Sequence, residues 1–208
     1  MIRRVPSYLR RFVRDESGAT LVELGLVIGI FLFLLFGLID FARLGFSNVM
    51  AEKATATAVR MATVRPAICS GVPSVTQRSL LGTLALTTPN GTRCSAMSGL
   101  CSPVEEVTCT AAEGGTDANA IWARVRPLLP GNAEPENLRF TYSYDEDLNR
   151  VGAPYSPIVT AEIDGLEFNF ISPLGALAEF AGASGQSGLG QSFTFASMSA
   201  SLPAEDLR

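Results

Sequence analysis

Between Leu24 and Ile39 the chain carries no charged residue, and nearly every side chain is large and apolar. A helix that is apolar all round has no water-facing side, so the medium that suits this stretch is lipid. From Ala19 to Ile39 is about 21 residues, or roughly 31 Å of helix, which matches a hydrocarbon core of about 30 Å. Ahead of it stand Arg3, Arg4, Arg10, Arg11 and Arg14. Cations concentrated on one flank mark the side kept in the cytoplasm, so everything after Arg43 is expected on the far side. A cleavable secretory signal has an apolar core of only about 7–15 residues with a small-x-small site behind it. Here the run passes straight into Asp40-Phe41-Ala42-Arg43, and the segment is expected to be retained as a single-pass anchor.

About 140 residues follow the helical part, enough for one compact domain. The chain's net charge of −4 conceals an asymmetry, because removing residues 1–18 takes away five arginines and two acids and leaves −7. With Lys53 as its single lysine and no basic stripe, the remainder is not expected to bind nucleic acid. Histidine is absent. Ser-His-Asp and Cys-His nucleophiles, imidazole proton shuttles and most catalytic zinc sites are thereby excluded. No catalytic residue, metal site or cofactor is assigned, and an enzyme is not expected.

Glu23 stands at the cytoplasmic end of the apolar run. A carboxylate carried to the bilayer centre costs roughly 2.5–3.5 kcal/mol. Near a helix N-terminus the macrodipole returns several tenths to about 1 kcal/mol. A carboxylate kept here either snorkels without a role or meets a partner. The string Arg10-Arg11-Phe12-Val13-Arg14-Asp15-Glu16-Ser17-Gly18-Ala19-Thr20-Leu21-Val22-Glu23, followed by the apolar helix and Ile39-Asp40-Phe41-Ala42-Arg43, resembles the start of TadE/TadG-like proteins. These are pilin-like components of the bacterial tight-adherence (Tad) pilus, a branch of the type IV pilus and type II secretion machinery. The resemblance spans about residues 10–66, including an alanine-rich stretch with an arginine, and departs from the common family pattern at Leu24, where an aromatic residue is frequent. It implies cleavage by a prepilin peptidase between Gly18 and Ala19. It also implies an assembly contact in which Glu23 neutralises the new N-terminal amine of a neighbouring subunit, since each charge is expensive alone among apolar helices.

Asp40 and Arg43 are three apart and are expected to pair on one helix face at the membrane exit. Phe46, Met50, Ala54, Ala58 (or Thr57), Met61 and Val64 recur at three- and four-residue steps, predicting an amphipathic extension that Pro66 ends at or just before Arg65. The whole rod would be about 46 residues and roughly 70 Å long. Gly25 and Gly29 form a small-xxx-small pair, with Gly37 and Gly45 beyond. Such pairs let helices approach closely in lipid, although glycine is also simply common there.

Beyond Pro66 the composition shifts to Ser, Thr, Gly, Pro and four cysteines, Cys69, Cys94, Cys101 and Cys109. On the oxidising side of a membrane, with neither C-x-x-C nor histidine, two disulfides are expected rather than a metal site. Three connectivities are open, of which Cys94–Cys101 with Cys69–Cys109 is the choice made here. Ser74-Val75-Thr76-Gln77 has the form of a capping box opening a helix through Leu80, Leu81, Leu84 and Leu86. Ala120–Val125 is predicted as a first strand. Leu138, Phe140, Tyr142 and Tyr144 alternate with polar residues as a second. Ile158–Ile171 is predicted as a hairpin turning at Asp164-Gly165, with Ile163 opposite Leu166. Ser172-Pro173 would start a short helix through Leu174, Leu177, Ala178 and Ala181, Gly182–Ser192 a loop, and Phe193–Ser201 a last strand. Asp145-Glu146-Asp147 with Asn149 is better explained as a solvated turn than as a Ca²⁺ loop, which needs twelve residues and a terminal glutamate. Glu105-Glu106 and Glu162-Asp164 show no partner in sequence.

The expected architecture is α+β: a long N-terminal transmembrane helix continuing into an amphipathic helix, packed on a small antiparallel sheet in a disulfide-containing exported domain. Its divisions are a basic leader (1–18), the membrane helix (19–42), the helical extension (43–66) and the exported domain (67–208). The resemblance implies a minor pilin or pseudopilin in the inner membrane, N-terminus cytoplasmic and C-terminal domain periplasmic or on the pilus. Its partners would be the prepilin peptidase, other pilin-like subunits, the inner-membrane assembly platform and the lipid bilayer. The competing expectation is an unprocessed single-pass protein whose outer domain binds an envelope component or ligand.

Overall fold

The computed structural model describes residues 17–80, 88–170, 192–205 and 207. The chain divides into two compact units, Met1–Arg43 with Phe170–Gln191, and Leu44–Asn169 with Ser192–Arg208. Helix α1 spans Ser17–Ala62 without interruption. In the first unit its side chains from Thr20 to Phe36 are all exposed, whereas Asp40 is only 2% exposed.

In the second unit the buried face of α1 is Ala51, Ala54, Thr55, Ala58, Val59 and Ala62. This corrects the expected stripe. Phe46 and Val64 are 67% and 55% exposed, and Met50 and Met61 only half-buried. Ala54 and Ala58 of the expected stripe are buried, but the covered face extends from them to Ala51, Thr55, Val59 and Ala62 rather than to the larger residues, and its small side chains let the backbone lie close to its surroundings. The helix stops three residues before Arg65. The carbonyl of Thr63 then accepts the Glu205 N–H at 3.0 Å, so the C-terminal tail satisfies a helix-end acceptor.

Four strands form one antiparallel sheet: β1 (Val107–Thr110), β2 (Leu138–Ser143), β3 (Ile158–Ile163) and β6 (Met198–Pro203), in the order β1-β2-β3-β6. The alternation read from Leu138, Phe140 and Tyr142 is present, and these oppose Ile163, Ala161 and Val159 on one buried face. Strands β4 (Glu167–Phe168) and β5 (Phe193–Thr194) make a separate two-stranded sheet. There Phe168 lies 5.6 Å from Phe193 and 5.9 Å, edge to face, from Phe195.

The structure overturns four local expectations. The hairpin at Asp164-Gly165 does not form, because β6 covers the free edge of β3 at all six positions, from Ile158↔Pro203 to Ile163↔Met198. With both edges taken, the chain turns away at Gly165 (φ +66°) and β4 pairs with β5 instead. The last strand likewise divides into β5 and β6, which belong to different sheets. Ala120–Val125 is the end of helix α2 (Gly115–Val125), whose buried residues Ala118, Ile121 and Val125 have helical spacing. Six residues were too few to distinguish the two periods. Ser74–Gln77 does not cap a helix: Val75 bridges Pro154, and the Thr76 and Ser79 N–H groups are spent on Ala153 and Leu100 carbonyls. Of the helix proposed through Leu80, Leu81, Leu84 and Leu86, Leu80 is helical and the rest lies outside the described residues, as does the helix proposed after Pro173.

Gly114 marks the tightest approach, since a Cβ there would stand 2.3 Å from Ile68 Cγ2 and 2.5 Å from the Ala118 Cβ. Gly114→Ala is expected to destabilise the second unit by about 1–3 kcal/mol through overpacking, read as a lower denaturation midpoint of the detergent-solubilised chain.

Candidate functional site

The helix geometry gathers the proposed assembly residues at one end of α1. Gly18 and Ala19 lie in its first turn, and Glu23 follows just over one turn later on an exposed position. A 3.6-residue period keeps Ala19 and Glu23 on one helix face. At the other end of the apolar stretch, Arg43 Nη1 donates to Asp40 Oδ1 at 3.0 Å. Pairing lowers the cost of holding the buried Asp40 carboxylate. A Cβ added at Gly25, Gly29, Gly37 or Gly45 would meet nothing within 4 Å among the described residues, so no contact described here requires a glycine at these positions. Among the described residues, α1 is the one helix long and apolar enough to cross a membrane.

The four cysteines are joined as Cys69–Cys109 and Cys94–Cys101, separated by 40 and 7 residues. In the chain-entropy model such closures contribute about 4 and about 2 kcal/mol. Cys94 and Cys101 sit in a small apolar cluster with Leu100 and Val151, against which Tyr144 packs. Hydrogen bonds supply the rest. Asn149 is completely buried, and its amide is fully used. Nδ2 donates to the carbonyls of Asp145 (2.8 Å) and Ser156 (3.0 Å), while Oδ1 accepts from Thr76 Oγ1 and the Ser156 N–H, both at 2.9 Å.

The acidic run is a turn. Asp145 Oδ1 accepts the N–H groups of Asp147 (2.8 Å) and Leu148 (3.3 Å), and among the described residues no group of three or more potential ligands is placed to hold a metal. Glu162 and Asp164 flank Arg139 at 3.7 and 3.3 Å as half-buried ion pairs still in reach of water, each worth about 1 kcal/mol. Glu105 and Glu106 are exposed in the loop before β1. Sequence reasoning missed the contacts that join distant segments, including Asn149, the Arg65–Asp117 pair at 3.2 Å and the Tyr142 hydroxyl, which accepts the Ile68 N–H at 3.0 Å. No local pattern encodes them.

These features define a membrane-anchored α+β protein whose second unit is held by two disulfides. Residues 18–60, the apolar helix and the stretch leading out of it, match the family model described as TadE-like protein. No curated protein and no solved structure matches the chain.

One tyrosine and one asparagine provide tests of this unit. Burial, with a smaller contribution from Tyr144, pushes Tyr155 up to about 12, and its hydroxyl has no hydrogen-bond partner among the described residues. A raised folded pKa favours the protonated fold, so stability is expected to be intact below about pH 10 and to fall between pH 10 and 12, visible in denaturation midpoints. Burial also raises Tyr142 and Tyr144, so Tyr155→Phe is expected to reduce that dependence rather than abolish it, and to raise stability by about 1 kcal/mol. Asn149→Leu is expected to cost about 3 kcal/mol or more, as it strands several buried groups at once.

Proposed function

We propose that this chain is a pilin-like subunit, a minor pilin or pseudopilin, acting by assembly into a Tad-type adhesion pilus or a related secretion system. The observation that carries this reading is the TadE-like match, which begins at Gly18 and continues through the apolar helix. On this reading the basic leader stays in the cytoplasm and the prepilin peptidase cuts between Gly18 and Ala19. The new ammonium group is then met by Glu23 of a neighbouring subunit. Both charges lie where lipid or apolar helix replaces water, so each lowers the cost of the other and the pair fixes the axial register between subunits. The apolar side chains exposed along α1 are the surface that lipid covers before assembly and other pilin-like helices cover afterwards. The two disulfides support an orientation with the second unit on the oxidising side of the inner membrane. The inner-membrane assembly platform would receive the anchored subunit.

Intact mass tests the processing step. Co-expression with a prepilin peptidase is expected to yield a chain starting at Ala19, and Gly18→Ala to leave the leader in place. A full-length mass for the unaltered protein under these conditions would remove the processing step. Glu23→Gln is expected to leave membrane insertion and cleavage intact but to reduce incorporation into sheared pilus fractions. Normal incorporation would remove the charge-pairing role.

A further inference from the structure

With the leader removed the chain is acidic, yet three arginines of the second unit converge on one turn. Segments 89–94 and 149–153 run antiparallel: the Gly91 N–H donates to the Val151 carbonyl at 2.8 Å, the Val151 N–H to the Thr92 carbonyl at 3.0 Å, and Arg93 stands directly opposite Arg150. Residues directly opposed in an antiparallel pair project to the same side, and like charges in that position cost stability. Arg150 Nη1 is fixed on the Gly91 carbonyl at 3.2 Å. Arg78 Nη2 is fixed on the neighbouring Asn90 Oδ1, also at 3.2 Å, and on the Thr88 carbonyl. The guanidinium groups of Arg78 and Arg150 are therefore held at the Asn90-Gly91 turn, and Arg93 stands across from Arg150 beside it.

None of the three makes an ion pair among the described residues, whereas Arg65 and Arg139 in the same unit both do. Among the described residues neither Asp145, whose Oδ1 accepts backbone N–H groups, nor Glu146 or Asp147 forms an ion pair with them. The scaffold beneath is fixed: the Cys94 N–H donates to the Asn149 carbonyl at 3.0 Å, and Cys94 is bonded to Cys101. A Cβ at Gly152 would lie 3.1 Å from the Asn90 amide carbon, so the turn is seated closely on its neighbour.

We propose that Arg78, Arg93 and Arg150 form an oxyanion-binding site that takes the carboxylate groups of an acidic polysaccharide. A planar guanidinium fork matches a carboxylate with two parallel hydrogen bonds, and an anion between Arg93 and Arg150 relieves their mutual repulsion. Both of these side chains are exposed, so the ligand lies across a surface rather than inside a cavity. The acidic surroundings disfavour a nucleic-acid backbone, whose line of phosphates would extend beyond three cations. A uronate chain spaces its single carboxylates among neutral hydroxyls, for which the Asn90 Nδ2 is a suitable donor and the Thr92 Oγ1, whose proton goes to the Pro89 carbonyl, a suitable acceptor.

The test uses the full chain in nonionic detergent with polygalacturonate fragments as the probe, and dextran of matched length and phosphatidylglycerol vesicles as comparisons. Saturable binding to polygalacturonate that weakens with salt is expected. Arg93→Gln, with or without Arg150→Gln, is expected to weaken it roughly ten- to a hundredfold. Arg124→Gln, an equal charge loss at an exposed position of α2, is expected to change it less than about twofold. Arg93 makes no side-chain hydrogen bond among the described residues, so its single variant tests the site even where the double variant misfolds. Binding no better than to dextran, an equal loss with Arg124→Gln, or binding confined to the vesicles would overturn the proposal. The site does not depend on leader cleavage, and the Gly18→Ala chain is expected to bind equally well.

Discussion

Strand β3 is hydrogen-bonded along both edges, and the second unit is built outward from it. Each of its six residues has a partner on β2 and another on β6. That double pairing aligns Val159, Ala161 and Ile163 with Leu138, Phe140 and Tyr142 as one buried face. It also determines where the chain goes next. Because no edge of β3 remains open, the residues after Gly165 pair elsewhere. The C-terminal strand meanwhile runs on until Ala204 reaches the Pro157 carbonyl and Glu205 the end of α1.

Around this sheet lies the region that carries the Cys94–Cys101 disulfide and the small apolar cluster about it. Its order comes from covalent and polar links: two disulfides, the buried amide of Asn149, and bridges that tie residues 75–78 to residues 101 and 154. Such links are directional, so they can hold a turn in one conformation while leaving its side chains in water. The arginines at positions 78, 93 and 150 occupy this setting. A rigid polar scaffold maintains a like-charge pair that a looser loop would relax by moving the chains apart.

Helix α1 meets two different demands with one periodicity. Its apolar stretch needs bulk and the absence of charge, because lipid rewards neither polarity nor a particular face. From Ala51 onward the requirement is for small side chains on one face. The exposed Phe46 and Val49 show that hydrophobicity alone did not select the face that is covered.

How much was legible in the sequence follows from the range of each interaction. The membrane helix, its flanking charges, the Asp40–Arg43 pair and the alternation of β2 were readable because each is set by composition or by residues within about one turn or a few strand positions of one another. The α+β class followed from those periodicities. Tertiary structure decided the rest. Residues 74–79 became extended because distant carbonyls claimed their N–H groups, Asp164-Gly165 became a corner because β6 occupies the remaining edge of β3, and the alanines of α1 were buried in place of larger residues. The arginine cluster was invisible for the same reason: its members lie far apart along the chain, and only long-range hydrogen bonds between segments bring their charges to one turn. A sequence states which groups need partners. Which partner each one finds depends on the competition among all of them in three dimensions.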